Sequence, residues 1–239
     1  MKILNLTFDT PEENLACDEA LLEEAENENS GEVLRFWEAK KPFVVLGYSN
    51  KVSEEVNLTL CQKNHIPILR RTSGGGTVLQ GPGCLNYALI LKIQNHEGLK
   101  SVTQTNHFIM NKHSHALQSL TPSPVIVRGI TDLAMGDLKF SGNAQRRKRR
   151  FILFHGTFLL NFKLSQIEKF LPLPPRRPEY RKNRPHKEFL TNFNVSPEEI
   201  KKVLIAAWNA AGNFNFSFSE KMKLLIADHY SKEEWNFRF

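Results

Sequence analysis

Three short stretches of this sequence carry side chains able to do chemistry. Arg70-Arg71-Thr72-Ser73-Gly74-Gly75-Gly76-Thr77 sets two guanidiniums, hydroxyls and a run of glycines within one turn of chain. Successive glycines let the backbone take φ > 0 and let another molecule lie against bare amides. The arginines supply fixed cations suited to carboxylate or phosphate oxygens. The stretch reads as an anion-binding ligand loop, and the plain alternative is a glycine-rich hairpin with solvated arginines. It is not a P-loop: no Gly-Lys-Ser/Thr follows and no helical periodicity begins there. The second stretch is Asp132-Leu133 followed by Gly136-Asp137-Leu138-Lys139-Phe140-Ser141-Gly142-Asn143-Ala144-Gln145. A lysine in a strand is usually a surface lysine, but Lys139 lies among Gly136, Ser141, Gly142 and Asn143, where a ligand can approach closely. The third is His155-Gly156-Thr157, a polar insertion between Phe151–Phe154 and Phe158–Leu160. Alone it would more often hold a satisfied core histidine.

These groups need a scaffold, and the hydrophobic pattern supplies one. Asp9-Thr10-Pro11-Glu12-Glu13 is a helix start, with a capping residue, proline in the first turn and acids that suit the dipole. That helix runs through Leu15, Leu21 and Ala25 and fails in the stretch 27–31. Strands are predicted at Val33–Trp37, Phe43–Gly47, Ile66–Leu69, Tyr87–Leu91, Val125–Val127, Asp132–Met135, Leu138–Ser141 and Phe151–Phe162. Gly136-Asp137 marks a hairpin. Helices are predicted from Ser53 to Asn64, Val102 to Leu120, Ser196 to Gly212 and near Ser219–His229. The Pro/Arg-rich stretch Pro172–Pro185 reads as irregular and too polar for a core. Hairpins outnumber βαβ units, so the expected class is α+β with a mainly antiparallel central sheet flanked by helices.

At 239 residues the chain suits one domain spanning 1–239. No secretory leader is legible in Met1–Asp9, and no apolar run nears the roughly 18 residues of a membrane span. Cys17, Cys61 and Cys84 are too widely spaced for a disulfide framework or metal site, so a reduced, cytoplasmic protein is expected. Net charge is +7, concentrated between residues 145 and 187, where Glu168 and Glu179 are the only acids. Without aromatic interleaving or a binding motif, that charge suits an anionic nucleotide or an acidic protein better than nucleic acid.

In order and spacing, Arg70–Val78, Asp132-Leu133, Lys139–Gln145 and His155–Leu160 resemble the lipoate–protein ligase A family within the biotin/lipoate ligase superfamily. Asp18-Glu19-Ala20-Leu21, Val44–Gly47 and Glu55-Val56-Asn57 agree, and the likeness covers roughly residues 10 to 170. The resemblance implies a central sheet flanked by helices, with acyl chain and nucleotide bound over it. It implies ATP-dependent activation of lipoate or octanoate to an acyl-adenylate, then transfer to a lysine of a lipoyl carrier domain of 2-oxoacid dehydrogenase or glycine-cleavage H-type proteins. Lys139 is then the catalytic cation between carboxylate and α-phosphate. Substrate binding falls to Arg70, Arg71, Ser73, Gly74, Gly75, Gly76, Thr77, Val78, His155 and Gly156. ATP binding falls to Asp132, Lys139, Ser141, Gly142, Asn143 and Ala144, with Asp132 also a candidate for Mg²⁺. Val44, Val78, His155 and Phe158 are expected to line the acyl slot.

Departures from the family sharpen the alternatives. Gly47-Tyr48-Ser49-Asn50 stands where family members often carry Arg and Gln. Large ligases carry an extra C-terminal domain that this chain is expected to lack, so a separate accessory subunit is anticipated. Related octanoyl- and lipoyl-transferases use a cysteine nucleophile, one group in a Cys-Pro-Gly stretch before the residue matching Asp132. Here that stretch is Val127-Arg128-Gly129-Ile130-Thr131. Cys84, near the glycine loop, is the one thiol worth considering as nucleophile. An ATP-independent transferase and a carrier-binding subunit that needs a partner therefore stay open, whereas the Gly-Arg-Gly-Arg type loop of biotin ligases is absent from this sequence. Arg146–Arg150 is expected at a hairpin tip beside the active site, as a docking surface for an acidic carrier.

Overall fold

The computed structural model describes every residue except Asn29. In chain order its elements are β1 (Lys2–Asn5), α1 (Pro11–Glu28), β2 (Val33–Glu38), β3 (Phe43–Leu46), α2 (Val52–Glu55), α3 (Leu58–Lys63), β4 (Ile68–Arg70), β5 (Val78–Gln80), β6 (Cys84–Lys92), α4 (Val102–Gln118), β7 (Val125–Arg128), β8 (Asp132–Met135), β9 (Leu138–Arg147), β10 (Phe151–Leu159), α5 (Ser165–Phe170), α6 (His186–Phe189), α7 (Pro197–Ala207), α8 (Glu220–Leu225) and α9 (Glu233–Asn236). One sheet has the order β1-β2-β6-β10-β9-β8-β7, and a smaller one runs β4-β3-β5. Pairing is antiparallel except β1–β2 and β3–β4. This is the α+β arrangement that the hydrophobic pattern predicts.

The central strands are covered on both sides. That is why β6, Cys-Leu-Asn-Tyr-Ala-Leu-Ile-Leu-Lys, reads as an almost unbroken apolar run rather than an alternation. Leu85, Tyr87, Leu89 and Leu91 of β6 face the cluster capped by α4 and α7. Ala88 and Ile90 face α1, and Cys84 joins a third cluster with the small sheet. The site therefore lies on a sheet whose other face is fully packed.

Capping follows the sequence closely at two helices. Thr10 and Glu13 bond reciprocally at the start of α1, and Ser196 and Glu199 form a capping box on α7. The helix expected from Ser53 to Asn64 is instead two short pieces. Val56 is extended, at φ −135° and ψ 135°, and Asn57 caps the second piece by accepting from the Leu60 amide.

His113 of α4 is fully buried. Its Nε2 accepts from Trp208 Nε1 at 2.9 Å, and burial with Lys112 alongside holds its pKa down to about 3. The unfolded chain takes up this proton near the ordinary histidine value and the fold refuses it. Stability is therefore complete above about pH 6.5 and falls as pH drops toward 3, by up to about 1.4 kcal/mol per pH unit. Thermal melts of wild type and His113→Gln at pH 6.5 and 5 should show the variant losing up to about 2 kcal/mol less over that interval. Equal losses in the two proteins would exclude His113 as a source of acid lability.

Candidate functional site

The glycine loop joins β4 to β5 and is anchored from within. Arg71 to Ser73 are buried, while Gly74 to Gly76 are exposed. Arg71 lies inside the loop, its Nη2 donating to Gly74 O at 2.7 Å and Gly76 O at 2.9 Å. Its Nε donates to Ser73 Oγ at 3.1 Å. Burial lowers the Arg71 pKa to about 10, so it remains a cation. Turning the Gly74 and Gly76 carbonyls inward leaves the amides of Gly74, Gly75 and Gly76 without an acceptor among the described residues. A Cβ at Gly74 or Gly76 would meet nothing within 4 Å, whereas Gly75 has φ +90°. The loop thus offers bare amides to open space, backed by a buried guanidinium, as an anion nest requires.

Arg70 is turned the other way. Its Nη1 donates to the carbonyls of Gly47, Tyr48 and Asn50, at 2.9, 3.0 and 2.8 Å, and it is fully buried. The structure gives Arg70 to that turn rather than to the open side of the loop. Thr77 is likewise tied inward, its hydroxyl donating to Glu55 at 2.6 Å with Asn50 Nδ2 on the same carboxylate at 2.8 Å. Glu55 and Asn50 support the loop, a role that the sequence reading did not give them.

Across from the loop stands β9, where an irregularity decides which residues face it. Leu133 pairs with Ser141 but Ala134 with Lys139, so Phe140 is an extra residue in the ladder. Period-two alternation would put Lys139, Ser141 and Asn143 on one face. The bulge turns Lys139 over to the loop side, a usual effect of such insertions. Gly142 and Ala144 share that side. A Cβ on Gly142 would lie 2.8 Å from Lys139 Nζ, and one on Gly75 would lie 3.5 Å from Ala144 Cβ. His155, opposite Ala144, meets Ser73 Oγ at 2.6 Å through Nε2. Burial and Arg71 hold its pKa down to about 3, so it serves as a neutral hydrogen-bonding group and not as a base near pH 7.

Ser141, Asn143 and Gly156 belong to the opposite face. Asn143 Oδ1 accepts from Tyr87 at 2.6 Å, and its Nδ2 donates to Thr131 O at 2.6 Å. A Cβ on Gly156 would overlap Asn143 Oδ1 at 1.7 Å. Gly156 is thus needed for packing, and Asn143 holds the β7–β8 turn. Phe158 also lies on that face, stacked on Tyr87 at 5.4 Å, and Val44 is sealed in the small-sheet core. Of the expected acyl lining, His155 and Val78 remain on the loop side, Val78 pairing with Val45 in the small sheet.

Lys139 Nζ pairs with Asp132 Oδ1 at 2.7 Å, their side chains 25% and 13% exposed. The other oxygen, Asp132 Oδ2, accepts from Tyr180 at 2.8 Å. Asp132 is thus spent on two donors rather than open to a cation. No group of three or more His, Cys, Asp or Glu among the described residues could hold a metal ion. Tyr180 comes from the Pro/Arg-rich stretch, which folds over the Lys139 end of the sheet: Thr191 N donates to Lys139 O, and Arg184 to Asp137 O. Arg181 within it is buried against Phe189, 4.6 Å from the ring. The basic hairpin tip is elsewhere. β9 is 10 residues long, so at about 3.3 Å per residue its ends lie about 30 Å apart. The tip is also engaged, Lys148 with Glu23 and Arg147 with Leu99 O, which leaves Arg146 and Arg149 exposed. It does not lie beside Lys139, although Arg147 is three residues from Ala144, which the loop approaches.

A cavity of about 380 Å³ lies between the start of α1, the β2–β3 turn and the α3–β4 connection, and it contains none of the three motifs. Lys139, the loop amides and His155 converge on one face and form the candidate site, which that cavity does not include. No helix among the described residues is long and apolar enough to cross a membrane.

Residues 10–209 match the lipoyl protein ligase A/B catalytic domain. An octanoyltransferase LipM of Carboxydothermus hydrogenoformans is 28% identical over 255 residues, 95% of this chain and 94% of that protein. Lipoate–protein ligase 1 of Staphylococcus aureus is 28% identical over 209 residues, 85% of this chain but 61% of its own length. Lipoate–protein ligase A subunit 1 of Thermoplasma acidophilum is 26% identical, with 93% and 90% covered. In fold, a T. acidophilum protein solved with bound lipoic acid superposes at a TM-score of 0.79 with 23% identity, covering 99% of this chain and 98% of its own. Plasmodium falciparum LipL1 in complex with lipoate superposes at 0.77 with 18% identity, covering 99% and 73%. The chain belongs to the lipoyl protein ligase A/B catalytic domain family.

Proposed function

We propose that this chain is an ATP-dependent lipoate–protein ligase, acting on lipoate or octanoate. The acyl carboxylate attacks the α-phosphorus of ATP, pyrophosphate leaves, and the acyl-adenylate gives its acyl group to a carrier lysine with loss of AMP. The first step brings two anions together. Two like charges about 4 Å apart repel by roughly 4 kcal/mol at an effective dielectric near 20, so a fixed cation between them is needed. Lys139 is that cation, with Asp132 and Tyr180 steering its ammonium. The loop amides and Arg71 receive the carboxyl end. Mg²⁺ enters with the triphosphate, and no side chain is assigned to it.

The observation that carries the ligase reading is the state of the thiols. All three cysteines are buried, and desolvation pushes Cys17 and Cys84 up to about 12 and raises Cys61. A nucleophilic thiol needs the opposite, a lowered pKa and access. Where one group of related transferases carries its cysteine, this chain has Gly129-Ile130-Thr131. The lipoic acid in the T. acidophilum structure and the ligase names of several relatives support the same reading. One observation favours a second reading, an ATP-independent octanoyl transferase: the likeness to a LipM runs over nearly the whole of that protein.

A single experiment separates them. Wild type and the Cys17, Cys61, Cys84 triple Ala variant are incubated with lipoate and an apo lipoyl domain, with and without ATP. The carrier is weighed by intact mass spectrometry. Carrier gain should require ATP and survive the triple substitution; gain from octanoyl carrier without ATP, or an acyl-thioester on this chain, would favour the transferase. The carrier is proposed to dock on Arg176, Arg177, Lys182 and Lys187, exposed residues in and next to the stretch that Tyr180 and Arg184 tie to the Lys139 end of the sheet. A T. acidophilum neighbour is a bi-partite ligase solved as part of a system with its E2 lipoyl domain. By analogy, a second subunit is proposed to assist transfer to the carrier, the adenylation step being this chain's own.

A further inference from the structure

We propose that the segment Tyr230–Asn236 is a positioning clamp for the glycine loop, so that side chains more than 150 residues downstream set the affinity of the acyl site. The inference rests on the reading that this loop receives the acyl carboxylate. Arg70 is the last residue before the loop, and both of its backbone groups are taken by side chains of α9. Its amide donates to Asn236 Oδ1 at 2.9 Å, and its carbonyl accepts from Trp235 Nε1 at 2.8 Å. β4 is an edge strand of the small sheet, so these side chains stand where a further strand would pair.

From Arg70 the clamp passes into the loop by two routes. The guanidinium is held by Trp235 O at 3.2 Å and gathers the Gly47, Tyr48 and Asn50 carbonyls. That turn then grips the loop: Tyr48 N donates to Ser73 O at 2.9 Å, and Asn50 Nδ2 donates to Thr77 Oγ1 at 3.1 Å. The second route starts at Tyr230, whose carbonyl is fixed by Asn236 Nδ2 at 2.9 Å. Its hydroxyl donates to buried Glu19 at 2.7 Å. Tyr230 and Glu19 share with Arg71, Ser73 and His155 the wall of a cavity of about 10 Å³ behind the loop. All these contacts are made on the inner side of the loop, and none reaches its exposed amides. The clamp therefore acts on the shape of the nest and takes no part in the chemistry.

The test uses Asn236→Ala and Trp235→Phe, each of which removes one bond to Arg70, and Phe237→Ala, an exposed neighbour, as control. Lipoic acid binding by calorimetry should weaken about tenfold in the first two, the equivalent of one lost hydrogen bond, and stay unchanged in the control. Without ligand, exchange of the hydrogen-bonded amides of Tyr48, Arg71 and Thr77 around the loop should quicken by a similar factor while β6 and β10 amides keep wild-type protection. In turnover, KM for lipoate should rise with kcat within about twofold. Unchanged affinity and loop exchange in both variants would overturn the clamp, and so would a uniform rise in exchange across β6 and β10, which would mean a merely structural role. Failure of wild type itself to bind lipoic acid would overturn the acyl-site reading instead.

Discussion

Lys139→Ala should lower acyl-adenylate formation by about 10²–10³-fold, the usual cost of deleting one charge-stabilising group at a reacting centre. A thousandfold corresponds to about 4 kcal/mol, which matches the repulsion that this ammonium is asked to offset. The fold should hardly notice. The Lys139 side chain is a quarter exposed, and ion pairs near the surface contribute about 0–1 kcal/mol. Asp132, left without its cation, keeps the Tyr180 hydroxyl. Lys139→Arg should recover little, because a planar fork cannot replace a compact ammonium packed over Gly142. The measurement is pyrophosphate release from ATP with lipoate and no carrier, beside lipoic acid binding by calorimetry. Rate loss with binding retained places Lys139 in the chemical step. Near-normal pyrophosphate release would remove it from the mechanism.

How much of this site was legible in the sequence depended on how local each feature is. β6 and β10 are long apolar runs, and the α1 and α7 starts are capping patterns, so local chemistry announced them. Lys139 and the glycine loop stood out because their neighbours are small. The facing of Lys139 was not legible. It depends on the bulge at Phe140, whose ring stacks on Phe193 at 4.5 Å, a partner more than fifty residues away in sequence. The resemblance carried Ser141 and Asn143 over as nucleotide-binding residues along with Lys139, and the register of β9 turns both to the packed face. The Pro/Arg-rich stretch is irregular, as its composition predicts, yet Tyr180 and Arg181 within it are fixed by contacts with Asp132 and Phe189, which composition does not show. Tyr180 could have been suspected as an aromatic residue isolated in a basic loop, but nothing nearby names its acceptor. Arg70 and Arg71 were indistinguishable by type. Adjacent residues on a strand point to opposite sides, which alone predicts that they do not share one ligand.

Gly47→Ala should cost the acyl site as much as the loss of a residue that touches substrate, although Gly47 lies beneath the loop. A methyl there would sit 2.1 Å from Gly75 O and 3.1 Å from Gly75 C. The obstacle is backbone and has no rotamer in which to retreat. Neither partner can simply slide. The turn is fixed by Arg70 on Gly47 O and by Tyr48 N on Ser73 O, while Gly76 O is fixed by Arg71. Relief of the clash therefore requires Gly75 to move by about 1 Å, which tilts the amides on either side of it. Misplacement of that size can cost on the order of 10² in rate. Overpacking of this kind costs about 1–3 kcal/mol in stability, equivalent to a melting point lower by roughly 2–12 °C in a chain of this length. The expected outcome is a kcat/KM for lipoate about a hundredfold lower in protein still folded at 25 °C, with pyrophosphate release restored in part at high lipoate concentration. A variant that melts as stated yet keeps wild-type kcat/KM would show that the exposed amides of residues 74–76 do not hold the acyl carboxylate.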